Sequence, residues 1–182
     1  MNIELESMAI EMPRVAGHPN REQFHGVLTL VDVISDKSPA GARGHRVVLT
    51  RTAAEAALAS LLGMGLDYAP SLDRHDTQRK IGVITRAEIV GKKLELGGYL
   101  FAKDFPEIVR EIGYGSDLRR RLGALQAKDS SQHSLGMSYE IADARVADMR
   151  SSIWTLTHVT FTGAAVLRRD KAAYRDTWIE LG

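Results

Sequence analysis

Between positions 135 and 141 the chain reads Leu135-Gly136-Met137-Ser138-Tyr139-Glu140-Ile141. Leu135, Met137, Tyr139 and Ile141 fall on one face of an extended segment, and Gly136, Ser138 and Glu140 on the other. A period of two cannot be satisfied by a helix, so this stretch predicts a strand with one buried face. A second long apolar run, Ile153 to Leu167, is available to pair with it. The pattern places a small hydroxyl between apolar anchors, where it can be held rigidly and face an open side. Most strand serines are merely solvated, so Ser138 gains meaning only from what the rest of the chain supplies, above all a histidine.

Taken in order, residues 1–23 are mixed, with a short edge strand within 8–12 broken by Pro13, Gly17 and Pro19. β-branched residues predict a strand over 26–34 and a shorter one over 45–50. Thr52-Ala53-Ala54-Glu55 has the form of a capping box, and the run that follows predicts a helix over 53–62 stopped by Gly63. Residues 68–79 are polar and aperiodic, a loop. It leads into a hairpin of strands 80–90 and 93–101. Asp104-Phe105-Pro106-Glu107 opens a helix over 104–112 with Phe105, Ile108, Val109 and Ile112 on one face, ended by Gly113 and Gly115. A second helical segment follows over 116–128, and its Arg119-Arg120-Arg121 run reads as a solvated face. Residues 129–132 form a loop, the final strand covers 153–161, and 168–182 is a charged tail with helical character. Six or so strands with two or three helices make an α+β fold, predominantly β. Its sheet is expected to be partly closed into a barrel, with the helices peripheral.

The 182 residues form most simply one domain, over 1–182, able to bury a substantial core. A 44% apolar, 26% charged composition fits a globular chain. The formal charge of +1 gives no electrostatic reason to expect nucleic acid or anionic lipid as the partner. The chain has no cysteine, which removes disulfides, thiolate metal sites and cysteine nucleophiles together. No apolar stretch has the length of a signal peptide or a membrane span, which argues against export and against a membrane role. Six histidines are present, at 18, 25, 45, 75, 133 and 158, and none lies in a metal-ligand motif. Phosphate loops and the Gly-x-Ser-x-Gly elbow are absent, so neither a metal nor another cofactor is expected. His75 stands in a polar loop just before a strand, where a side chain is displayed at a sheet edge. A neutral imidazole there can take the proton of a serine hydroxyl and return it to a leaving amine.

Three segments resemble the prohead, or capsid-maturation, serine proteases of tailed bacteriophages, a family related in fold to the herpesvirus assembly proteases. Arg74-His75-Asp76-Thr77-Gln78-Arg79-Lys80-Ile81-Gly82-Val83 is similar to that family's His-Asp motif leading into an Ile-Gly strand. Leu135 to Ile141 is similar to its Gly-Leu-Ser-Ile-Gly-Phe block. Leu156-Thr157-His158-Val159-Thr160-Phe161-Thr162-Gly163-Ala164-Ala165 is similar to its Val-Ser-Leu-Val-Thr-Phe-Pro-Ala block. The match spans roughly 26–167 with the segments in the family's order. Carried over residue by residue, His75 matches the base and Ser138 the nucleophile.

The chain departs from the family pattern at Glu140, which replaces a glycine, and at Thr162-Gly163, which replaces Pro-Ala. The family's third, acidic member aligns with Thr155. His158, Glu140 and Asp148 are the open choices for that role. Ser134 competes as nucleophile, since Ser134-Leu135-Gly136 also fits a Ser-x-Gly reading, but Ser138 preserves the preceding block. The resemblance implies a serine endopeptidase acting on scaffold segments and the major capsid protein in an assembling procapsid, in the host cytoplasm. Homo-oligomerisation is left open. The rival readings are a catalytically inactive capsid-assembly or scaffold-associated protein, and an unrelated small binding domain.

Overall fold

The computed structural model describes residues 7–126 and 135–182, so Ser134, His133 and the 129–132 loop lie outside the described residues. In chain order the elements are strands β1 (Ser7–Ala9), β2 (Glu22–Leu30) and β3 (Arg46–Leu49), then helix α1 (Arg51–Ala57), running directly into a 3-10 turn at Leu58–Leu61. Strands β4 (Gly65–Asp67), β5 (Lys80–Val90) and β6 (Lys93–Leu100) follow, then helix α2 (Pro106–Gln126). Strands β7 (Leu135–Val146), β8 (Ile153–Arg168) and β9 (Trp178–Leu181) complete the described fold.

The strands form one curled sheet in the order β3-β8-β4-β5-β6-β2-β9, with β1 added to β5 and β7 to β8. β8 organises it. Along one edge it pairs in parallel with β3 at Ile153–Leu156 and with β4 at Ala164–Ala165. Along the other it pairs antiparallel with β7 over nearly its whole length. The β7–β8 ladder slips at Thr162, because Glu140 faces Gly163 while Ile141 faces Phe161. Next to this bulge the Phe161 N–H donates to Ser60 Oγ at 2.9 Å and ties the 3-10 turn to the sheet. The core lies inside the curl, where Met137, Phe161, Ala164 and Val166 pack with Leu66, Ile84, Leu96 and Leu28. The fold is therefore α+β and predominantly β, with an open, partly closed sheet and helices outside it. α1 packs on β8 through Ala53, Ala54 and Ala57, and α2 against β9.

Several expected elements take different bounds. The first helix begins at Arg51 and is capped by Thr50, whose hydroxyl accepts from Ala53 N at 3.2 Å; Thr52 is inside the helix and is not the cap. Gly113 and Gly115 do not end α2, because Ile108, Ile112 and Ser116 stay buried along one stripe and tertiary packing outweighs the glycine propensity cost. The 168–182 tail is not helical. After a turn it returns as β9, which pairs antiparallel with β2. β4 was not expected, and it matters most for the site.

Candidate active site

Three strands set the positions. Across the parallel β4–β8 pair Asp67 faces Ala165, and across the antiparallel β7–β8 pair Ala165 faces Ser138. Residues directly opposite one another point to the same side of a sheet, so Asp67, Ala165 and Ser138 share a face. The two outer strands lie about 10 Å apart, two interstrand spacings, with only a methyl group between them. Glu140, two residues beyond Ser138, shares that face and lies opposite Gly163. This is the side away from the main core, where Ala165 and Leu167 form a small separate cluster with Ala172.

Small residues on β4 and β8 make room here. A Cβ at Gly163 would sit 3.0 Å from Glu140 Oε2 and 3.2 Å from the Gly65 carbonyl oxygen. A Cβ at Gly65 would sit 2.6 Å from Lys80 Cδ. The two glycines thus leave the space through which Glu140 and Lys80 reach the centre of this face.

The 68–79 loop drapes His75 over that space. Its start is tied to the end of β8 by Arg168 N donating to Leu72 O at 2.7 Å. Its far side is tied to β4 by Asp76 N donating to Asp67 Oδ1 at 2.9 Å. His75 Nδ1 then lies 3.0 Å from Glu140 Oε1 and 3.8 Å from Asp67 Oδ2. Facing two carboxylates, Nδ1 carries the hydrogen, and Nε2 is left as the nitrogen that can accept a proton. Lys80, the first residue of β5, places its ammonium 3.4 Å from Asp67 Oδ2 and 3.9 Å from Glu140 Oε1.

The electrostatics of the group follow from this geometry. Asp67 is fully buried. Burial works to raise its pKa, but the His75 and Glu140 side chains and the Asp76 N–H outweigh burial and hold it at about 2. For His75, burial favours the neutral ring, yet the two carboxylates prevail and raise its pKa above the ordinary value. Glu140 is raised, by burial first and then by its neighbour Asp67, against the opposing pull of His75 and Lys80. One His nitrogen and one oxygen from each carboxylate lie within 4.8 Å of one another, a spacing at which three such groups can hold a cation. Lys80 already shares those oxygens and supplies the positive charge, so the arrangement is read as an ion-pair network.

Ser138 and His75 both line a cavity of about 820 Å³ that also reaches Leu28, Val47, Trp154 and Leu156. That volume lies within the range of ligand-binding clefts. The Ser138 hydroxyl has no hydrogen-bond partner among the described residues, His75 included.

The other candidates fall elsewhere. His158 is exposed on β8 opposite Arg145, beyond the bulge, and is not among the residues lining the cavity. Asp148 accepts from Arg150 N in the turn between β7 and β8. Of the three open choices for the orienting group, the structure brings only Glu140 to His75. Asp67 and Lys80 are not among the residues that the sequence pattern singles out. The available signal was a lone acid in Gly65-Leu66-Asp67-Tyr68, a short apolar run directly after a helix stop.

No family model matches this chain, and no curated protein matches it. Among solved structures it is similar to a crystal structure of KSHV protease in complex with a hexapeptide phosphonate inhibitor. The identity is 10% and the TM-score 0.45, with 88% of this chain and 65% of that one covered. The chain thus spans slightly less than two thirds of the length of that protease.

Proposed function

We propose that the chain is a serine endopeptidase with Ser138 as nucleophile and His75 as general base. The observation that carries this is the shared sheet face. A serine hydroxyl with no partner among the described residues borders the same cavity as an imidazole whose Nδ1 is fixed by carboxylates. In the reaction Ser138 Oγ attacks the peptide carbonyl while His75 Nε2 takes the hydroxyl proton. Asp67 and Glu140, at Nδ1, stabilise the imidazolium that results. The imidazolium gives its proton to the departing amine, and an acyl-enzyme remains. Water, activated by the same imidazole, then releases the new carboxyl end and restores Ser138.

The resemblance of the three motif segments supplies the finer reading, a capsid-maturation protease of the tailed-phage kind. Its substrates on this reading are scaffold segments and the major capsid protein, cleaved within an assembling procapsid in the host cytoplasm. The second reading, a non-catalytic capsid-assembly protein, is favoured by one observation, that His75 is engaged with Glu140 and makes no hydrogen bond to Ser138.

Two measurements separate them. A fluorophosphonate probe should label wild type at Ser138 and fail to label Ser138→Ala or His75→Ala. Incubated with its cognate capsid and scaffold chains, wild type should cleave them. Each single variant should lose at least about a thousandfold in rate, and the double variant should be little worse, since such residues act as a unit. Ser134→Ala should be far milder. Binding of those chains without labelling or cleavage would establish the assembly reading instead.

A further inference from the structure

The Lys80 ammonium has no place in the proton transfers above, yet its seat is specifically made. Its stem crosses β4 where Gly65 offers no side chain, and any Cβ there would collide with Lys80 Cδ. Its ammonium reaches the same two oxygens that His75 Nδ1 reaches, Asp67 Oδ2 and Glu140 Oε1. Imidazole and ammonium thus share one pair of carboxylate oxygens.

Charge counting shows what the sharing does. Two carboxylates and one ammonium leave the group at −1 when His75 is neutral. It reaches zero when His75 takes the serine proton, so the network favours the imidazolium by a single unbalanced charge. Without Lys80 the resting group would stand at −2 and would draw a proton to His75 more strongly still, so that fewer rings would be free to act when substrate arrived. An imidazole already protonated cannot act as a base.

We propose that Lys80 is a positioning residue that, by sharing the Asp67 and Glu140 oxygens, weakens their pull on a proton at His75 and so leaves the ring better able to accept the Ser138 proton. The assignment rests on the serine endopeptidase reading for its catalytic consequence, but its effect on His75 stands independently. The charged groups facing His75 are Asp67 from β4, Lys80 from β5 and Glu140 from β7. Among the described residues β8 contributes only the uncharged Gly163, Ala165 and Leu167 to this face. On the loop itself Asp76 and Arg79 lie 3.9 Å apart and pair with each other, and Asp73 and Arg74 border the cavity.

The test is the titration of the His75 ring, followed by NMR on the whole chain. In Lys80→Met, which keeps the stem and removes the charge, the His75 midpoint should rise by about one pH unit. Lys80→Arg should stay nearer wild type. In the double variant Lys80→Met/Glu140→Gln the resting charge returns to −1, and the midpoint should move back towards wild type. Under the protease reading, the acid limb of kcat/KM in Lys80→Met moves upward with His75. Activity then falls about tenfold at a pH below the new midpoint while the alkaline plateau is kept, a pattern that a merely structural loss would not give. An unchanged or lowered His75 midpoint in folded Lys80→Met overturns the proposal. Should Lys80→Met fail to fold, the charge-balanced double variant decides, and a midpoint about one unit above wild type there overturns it. If the midpoints move as expected but wild type neither cleaves nor takes the probe, the Lys80 assignment stands and the protease reading falls.

Discussion

Glu140 is pulled in two directions. Burial and the neighbouring Asp67 favour its protonated form, while His75 and Lys80 favour the carboxylate. The first pair prevails, so its folded pKa lies above the unfolded one. The folded state therefore binds a proton here more readily than the unfolded chain does, and ionising Glu140 in place costs stability as pH rises through this range. Glutamine copies the shape of the protonated acid. Glu140→Gln should accordingly be as stable as wild type at pH 7, or more so, in urea unfolding. It should also lose about a hundredfold or more in turnover, because an amide cannot stabilise the imidazolium. A variant that unfolds more easily yet keeps its rate would remove Glu140 from the site. The sequence placed Glu140, His75 and Ser138 among the candidates because each lies in a recognisable segment. Asp67 and Lys80 were not legible. Their roles exist only through β4, a three-residue strand paired in parallel with β8 and antiparallel with β5, too short for any periodicity to show.

At the level of elements, what was legible depended on how strongly local pattern and tertiary packing agreed. The β5–β6 hairpin and the β7 alternation were readable because period and turn signals coincide. Local pattern puts the start of α1 two residues too late, because two threonines compete for the cap. Thr50 takes it since its hydroxyl also donates to Leu156 O at 3.2 Å, joining the helix start to β8, and Asp32 Oδ1 accepts the Arg51 N–H at 2.9 Å. Sequence alone does not show that β8 lies alongside. Thr50→Ala should therefore cost about 1 kcal/mol of folding stability. Thr52→Ala, on the exposed side of the helix, should change it by less than about 0.5 kcal/mol. Chemical denaturation of both variants checks this, and equal losses would argue against the observed cap. α2 shows the opposite case. Its two glycines are local stop signals, and a buried stripe carries the helix through them, with Ser116 Oγ donating back to Ile112 O at 2.9 Å.

For the whole molecule, the site draws its charged groups from β4, the 68–79 loop, β5 and β7, so the network that orients His75 also joins distant parts of the chain. Its stability should follow the same ionisations. Asp67 is held at about 2, against an ordinary value of 3.8, so the folded state prefers the carboxylate. Stability from this group is fully present above about pH 4 and is lost as pH falls towards 2. Its size is on the order of 2 kcal/mol, from the difference between the two pKa values. His75 acts in the opposite sense. Its raised pKa contributes stability below the ordinary value of 6.5, and that contribution fades as pH rises through the folded pKa. Asp67→Asn should therefore be less stable than wild type by about 2 kcal/mol at pH 5, where the carboxylate is ionised and His75 is still protonated. The gap should close as pH approaches 2, because protonated aspartate and asparagine then carry the same charge. The His75 contribution should shrink in the same variant, since one of its two carboxylates is gone. Urea midpoints for both proteins between pH 2 and 8 measure this directly. Two parallel curves across the acid range would mean that Asp67 is not an ionised carboxylate in the fold, and the proposed ion-pair network at His75 would fall with it.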